Sequence, residues 1–191
     1  TVFQQGATAE GLYVFLSGQG RAIGVAPDGY ETLMALYHSG SWIGHAPLID
    51  GRPSTMTCRV SQRAQIGFVP KEEVRALFLS RTENAAHFLS PVTRMLRTVY
   101  RHLIESNNAS PDRLVAERLF GLASILYAKA TAPRALVESL NQADLANATG
   151  LSRPTVNKIL QKMVDLGIVK LGYGRISILD ANALLRMANG Q

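Results

Sequence analysis

The sequence predicts an α+β chain: a β-roll of short strands, then one long helix, then a winged helix-turn-helix. Three observations predict it. Residues 12–69 are short apolar runs punctuated by glycine, the pattern of a small barrel or roll. Residues 83–105 hold an apolar repeat at helical spacing. Residues 140–178 read as two capped helices followed by a hairpin. A length of 191 residues suits one or two domains of roughly 100–200 residues each.

The roll is read from the runs LYVFLSG at 12–18, AIGVA at 22–26, TLMALY at 32–37, SGSWIG at 39–44 and AQIGFV at 64–69, with a turn at Asp28-Gly29. After Pro70, KEEVRALF is a short helix opened by proline and acids. The longer pattern over 83–105 contains Pro91, which is expected to kink or restart it, because proline removes one helical N–H and crowds the preceding turn. Leu96, Val99 and Leu103, and less regularly Met95 and Tyr100, share one stripe, with Arg94, Arg97 and Arg101 elsewhere. That stripe reads as a parallel dimer seam, or as a face packed on the chain's own roll. Residues 106–110 (SNNAS) read as a hinge. Pro111-Asp112 then opens a helix carrying Leu114, Val115, Leu119, Leu122 and Ile125. The expected domains are therefore a roll at 1–80, a dimerisation helix and hinge at 81–108, and a winged helix-turn-helix at 109–191.

The helix-turn-helix is spelled by its punctuation. Asn141 can cap the first helix, Asp144 adds charge at the positive end of its dipole, and Leu145 and Ala148 face inward. Gly150 supplies the turn, Ser152 is a second N-cap, and Pro154 sits early in the next helix, where its missing N–H is harmless. From Arg153 the residues Val156, Ile159, Leu160, Met163 and Val164 recur at three- and four-residue spacing. Arg153, Thr155, Asn157, Lys158, Gln161 and Lys162 are left on or beside the opposite face, which has no acid before Asp165. A cationic first turn suits a helix entering a DNA major groove, so Arg153 and Lys158 are the candidate base readers, with Asn157 beside them. The bland alternative is a solvated amphipathic helix in a small bundle. LGIVKLGYGRISIL at 166–179 adds a hairpin with a Gly-Tyr-Gly turn, hence a wing. Asn141, Gln142, Ser152, Thr155 and the wing residues Lys170 and Arg175, with Tyr173 near them, are candidates for the phosphate backbone.

Charge is unevenly placed. The formal net charge is +6, yet residues 1–80 balance Arg21, Arg52, Arg59, Arg63, Lys71 and Arg75 against Glu10, Asp28, Glu31, Asp50, Glu72 and Glu73. The whole excess lies later, as for a neutral sensor joined to a polyanion-binding module. No apolar run approaches the roughly 20 residues of a membrane span, so no membrane partner is expected. The single cysteine, Cys58, cannot form an internal disulfide, and there is no zinc spacing, so a reducing cytoplasm is the expected compartment and no metal is assigned. Thr1 is not an initiator Met, and no signal-peptide pattern follows it, as though a longer chain had lost its start. Nucleophile elbow, HExxH and Walker loop are all missing, so an enzyme is not expected. A regulatory module acting through protein contacts is the rival from another class.

In this order of elements, with LYVFLSGQG, WIG and GLSRPTVNKIL, the chain resembles the cyclic-AMP receptor protein / FNR family of bacterial transcription regulators across essentially its whole length. The resemblance implies a cyclic-nucleotide-binding-like jelly roll and a homodimer on a near-palindromic operator in double-stranded DNA. It implies in addition RNA polymerase as a partner, met near 129–139, and a nucleoid-associated cytoplasmic location. Ser152, Arg153 and Lys158 fall where members carry DNA-contacting residues. Pro154 falls where many carry a base-contacting glutamate, so a cytosine amine cannot be read in the same way. Members that bind cyclic AMP place a glutamate after the family's FIG and an Arg-Ser pair soon after; here those positions hold His45, Ser54 and Thr55. An effector pocket would draw on Gly44, His45, Arg52, Ser54, Thr55, Val99 and Tyr100. Standard cyclic-AMP binding is not expected, whereas another cyclic nucleotide or small anionic effector, or none at all, fits the residues. An iron–sulfur cluster needs more cysteines than one, and haem would have to use Cys58, His38, His45, His87 or His102.

Overall fold

The computed structural model describes residues 1–61, 63–106, 109–127, 135–138 and 140–191. The chain divides into two compact units, Thr1–Arg101 and His102–Gln191.

In the first unit β1 (Gly11–Ser17), β2 (Gln19–Val25), β3 (Glu31–His38), β4 (Trp42–Ile43), α1 (His45–Asp50), β5 (Thr57–Val60) and β6 (Gln65–Pro70) build the roll. Its two antiparallel sheets run β4-β1-β6 and β3-β2-β5. Register shifts interrupt β1 between Phe15 and Ser17 and β2 between Ala22 and Ile23, the bends a closed roll requires. Both sheets contribute to one core of Phe15, Ile43 and Cys58, against which Phe3, Tyr13, Tyr37 and Ile66 pack. Gly20 has a steric reason: a Cβ there would lie 2.3 Å from Phe15 Cζ, so the phenyl ring occupies the space the missing side chain leaves.

The runs at 12–18, 22–26, 32–37 and 64–69 lie on β1, β2, β3 and β6, whereas α1 is an addition to the expected elements. It is six residues long, buries none of its own side chains, and starts and stops at left-handed glycines, Gly44 (φ 94°) and Gly51 (φ 70°). Helix α2 (Lys71–Ser80) follows as expected. Helix α3 (Thr82–Ser106) then runs as one continuous element, so Pro91 does not restart it. Only one helical N–H is lost at Pro91. On the turn around it the Thr93 hydroxyl donates to the Ser90 carbonyl at 2.9 Å, and one turn earlier Phe88 is anchored against Trp42 and Phe78. No helix among the described residues is long and apolar enough to cross a membrane.

In the second unit α4 (Pro111–Tyr127) precedes β7 (Ala135–Glu138), α5 (Gln142–Thr149), α6 (Arg153–Asp165), β8 (Val169–Gly172), β9 (Arg175–Ile178) and α7 (Ala181–Ala188). Val115, Leu119, Leu140, Leu145, Val156, Leu160, Met163, Ile178 and Leu184 are its largest fully buried side chains among the described residues. Ala146, not Ala148, is the buried alanine of α5; Ala148 is half-buried beside it. The hairpin β8–β9 gains a third strand, because β7 pairs antiparallel with β9 from Ala135↔Ile178 to Glu138↔Arg175. Part of the segment 129–139, named above for contact with RNA polymerase, is therefore strand, and its residues 129–134 and 139 lie outside the described residues. Asn107 and Asn108 of the expected hinge lie outside them too. The final helix α7, also unexpected, is capped by Asp180 and packs on α4, where Arg113 Nε donates to the Ala188 carbonyl at 3.1 Å.

Candidate nucleic-acid interface

The start of α5 is locked by a capping box: Asn141 Oδ1 accepts from the Asp144 amide at 2.9 Å, and Asp144 Oδ2 accepts from the Asn141 amide at 3.0 Å. Gly150, at φ 69°, turns the chain by the left-handed conformation only glycine takes freely. Ser152 then caps α6, its Oγ accepting from the Thr155 amide at 3.3 Å and sharing a 2.8 Å bond with the Thr155 hydroxyl. One hydroxyl hydrogen of that pair is spent within it, and the other stays available to a ligand oxygen. Burial of Val156, Ile159, Leu160 and Met163 fixes the rotation of α6. Arg153, Pro154, Asn157, Lys158, Gln161 and Lys162 are consequently exposed together.

These exposed groups differ in their freedom. Lys162 forms an ion pair with Asp112 of α4, and Gln161 donates to Asp165 at 3.3 Å, so the end of α6 is tied to protein. Arg153 and Lys158 make no hydrogen bond or ion pair among the described residues. Asn157 accepts at Oδ1 from Gln142 Nε2 at 2.9 Å, a bond that bridges α5 and α6. Sequence pattern alone had not linked these two residues. On the wing, the pairs Lys170↔Ser177 and Gly172↔Arg175 alternate with the inward pair Leu171↔Ile176, so Lys170 and Arg175 project from one face. Gly172 leaves room for the Arg175 chain, whose Cγ and Nε lie 2.9 Å from where a Cβ would be. Tyr173 stands fully exposed at the tip. The second unit thus carries a cationic first turn on α6, a hairpin with two exposed cations, and the capping groups of α5 and α6.

The residues named for an effector pocket are placed differently. Gly44 sits in the left-handed region, its hypothetical Cβ 2.8 Å from the Gly11 carbonyl oxygen, so it lets α1 begin close against β1. His45 turns to protein: its ring meets Trp42 edge-on at 5.1 Å between centroids, Nδ1 is buried without a hydrogen bond, and burial holds its pKa below the usual histidine value. The imidazole is therefore neutral near pH 7. Ser54 uses its hydroxyl on the Met56 carbonyl at 2.8 Å, while Arg52 and Thr55 are exposed. Val99 and Tyr100 lie on α3, 39% and 56% exposed, with Met95 at 49% and Leu96 at 46%. The Leu103 side chain lies outside the described residues. His38 points Nδ1 at the Ser39 carbonyl, and burial pushes the Cys58 thiol up to about 12, which leaves it an inert apolar group.

Comparison with known proteins follows these two halves. A family model described as a cyclic nucleotide-binding domain matches residues 1–81, and one described as a Crp-like helix-turn-helix domain matches residues 115–187. The chain belongs to the CRP/FNR family. Among its relatives, the CRP-like cAMP-activated global transcriptional regulator of Mycobacterium tuberculosis is 26% identical over 188 residues, covering 98% of this chain and 84% of its own. The cyclic AMP receptor protein of Thermus thermophilus is likewise 26% identical, over 189 residues, 99% of this chain and 84% of its own. Of solved structures, FixK2 from Bradyrhizobium japonicum superposes with a TM-score of 0.77 at 18% identity, over 97% of this chain and 91% of that one, a likeness of fold. This CRP/FNR chain is therefore a transcription regulator that joins a roll of the cyclic nucleotide-binding domain family to a Crp-like helix-turn-helix.

Proposed function

We propose that the protein is a sequence-specific, dimeric DNA-binding regulator whose roll does not hold cyclic AMP in the manner of its cyclic-AMP-binding relatives. The observation that carries the DNA reading is the free, acid-free first half of α6. Arg153 and Lys158 reach base edges from it, and Pro154 offers only apolar contact, suited to a thymine methyl. Asn141, Gln142, Ser152, Thr155, Lys170 and Arg175 hold phosphates around it. Two-fold pairing through the exposed stripe of Met95, Leu96, Val99 and Tyr100 would set two such helices into successive major grooves of a near-palindromic site. RNA polymerase is the partner the DNA-bound dimer would present to. No enzymatic role is assigned.

The roll reading rests on His45, Ser54 and Thr55. A ribose hydroxyl and a cyclic phosphate need an acceptor carboxylate and a bidentate cation. A neutral, half-buried imidazole supplies neither, and the Ser54 hydroxyl is already engaged. Arg52 is the free cation left to a different anionic effector. Selection from a randomised duplex pool at fixed salt, with and without cyclic AMP and cyclic di-GMP, tests the whole reading. An enriched palindrome without nucleotide supports effector-independent or differently gated binding. Enrichment that requires cyclic AMP overturns the roll reading, and no enrichment under any condition overturns the DNA reading in favour of protein contacts.

A further inference from the structure

The bond between Gln142 and Asn157 carries more than its energy, because it decides which half of an amide faces outward. Gln142 is the first residue of α5, on the turn locked by Asn141 and Asp144, and Asn157 stands one turn into α6. Both side chains are exposed, and Gln142 Nε2 donates to Asn157 Oδ1 at 2.9 Å. An asparagine amide has an acceptor oxygen on one edge and two N–H donors on the other. With the oxygen edge turned to α5, the donor edge is the one left for a base.

From this juxtaposition we propose that Gln142 is a positioning residue that makes Asn157 a reader of guanine. The inference rests on the DNA-binding reading of α6. Guanine shows two acceptors, O6 and N7, in the major groove, which a pair of N–H donors matches. Adenine shows an acceptor N7 and a donor N6–H, and the usual asparagine-to-adenine pair needs oxygen and nitrogen presented together. Gln142 engages one of the oxygen's two lone pairs and turns that edge toward α5, away from the base. A glutamate in its place reverses the sense of the bond: a carboxylate only accepts, so an Asn157 N–H must turn to α5, which frees Oδ1 and one N–H for the base. That set is the one adenine matches.

Half-site selection from randomised duplexes by the full chain, at fixed salt, tests this with wild type, Asn157→Ala, Gln142→Glu and Gln142→Ala. Asn157→Ala should flatten one column of the enriched site and leave the others, which identifies the base it contacts. In wild type that column should favour guanine over adenine by roughly five- to a hundred-and-fifty-fold, the range of one good bidentate pair. Gln142→Glu should move the same column to adenine while weakening all sequences alike through its added charge, and Gln142→Ala should leave guanine and adenine within about threefold of each other. Adenine in the wild-type column overturns the inference, as does a column that ignores both Gln142 changes or an Asn157→Ala site identical to wild type. The DNA reading survives each of those results. It fails separately, and takes this inference with it, if wild type enriches no site.

Discussion

The salt dependence of DNA binding discriminates between cations that look equivalent in sequence. Arg153, Lys158, Lys170 and Arg175 are exposed and form no ion pair with any described side chain, whereas Lys162 is held by Asp112. If all four free cations of each protomer meet DNA, a dimer releases about eight counterions. The logarithm of the binding constant then falls with a slope near −7 against the logarithm of salt. Between about 50 and 200 mM salt that is a loss of roughly four orders of magnitude. Arg175→Gln removes one cation per protomer, flattening the slope by about 1.8 and trimming that loss to roughly three orders. Lys162→Gln should leave the slope within about 0.5 of wild type, since Asp112 already neutralises that charge. Fluorescence anisotropy against one duplex across a salt series measures both. Equal flattening by the two variants would refute the reasoning, because it would mean that Lys162 leaves Asp112 for phosphate. An unchanged slope for Arg175→Gln would remove the wing from the interface.

Other residues give independent checks. Arg153→Ala should cost about 1–3 kcal/mol on the selected site and relax one base preference, whereas Arg175→Ala should weaken all duplexes alike; equal loss on specific and random DNA for Arg153→Ala would end its reading role. His45 has a folded pKa below its ordinary 6.5, so the unfolded chain binds its proton first as pH falls. Stability from this group is complete above about pH 6.5 and declines below it, and thermal unfolding of wild type and His45→Gln between about pH 8 and 5 should converge toward the acid end. With its thiol pushed up to about 12, Cys58 should react with a thiol reagent at neutral pH only as fast as the roll opens; rapid labelling of the native protein would contradict its burial. Gly20→Ala should lower stability by about 1–3 kcal/mol, because its Cβ meets Phe15 Cζ at 2.3 Å, and a denaturant midpoint unchanged from wild type would show that the ring relaxes freely.

What the sequence made legible was decided within single turns of chain. Asn141, Gly150, Ser152 and Pro154 each act on amides or dihedrals one to three residues away, so the helix-turn-helix and its exposed basic face could be read before any tertiary contact was known. The strands of the roll were legible for the same reason, from glycine turns and apolar runs. Elements that exist through distant partners were not. Strand β7 is four residues long and is defined by its pairing with β9, some forty residues on, and α1 has no buried side chain of its own to set a period. Pro91 misled because its effect on a helix depends on what anchors the flanking turns, here Phe88 against Trp42 and Phe78.

The same division explains why the two candidate sites differ in legibility. Reading DNA asks a helix to expose a few residues in a fixed order, and order is what a sequence states directly. An effector pocket asks residues from separate elements to converge, and there residue type alone does not tell a ligand from a packing group. His45 occupies a position expected to face an effector, yet the ring of Trp42, three residues earlier, takes it into the aromatic cluster that reaches Phe88 on α3. Gln142 and Asn157 make the point from the other side. Each was legible as a polar residue on an exposed surface, but the fifteen-residue gap between them concealed the bond that sets which edge of Asn157 is offered. On the proposed reading specificity at that column belongs to the pair, so two relatives that share α6 residue for residue and differ at Gln142 should select different bases there.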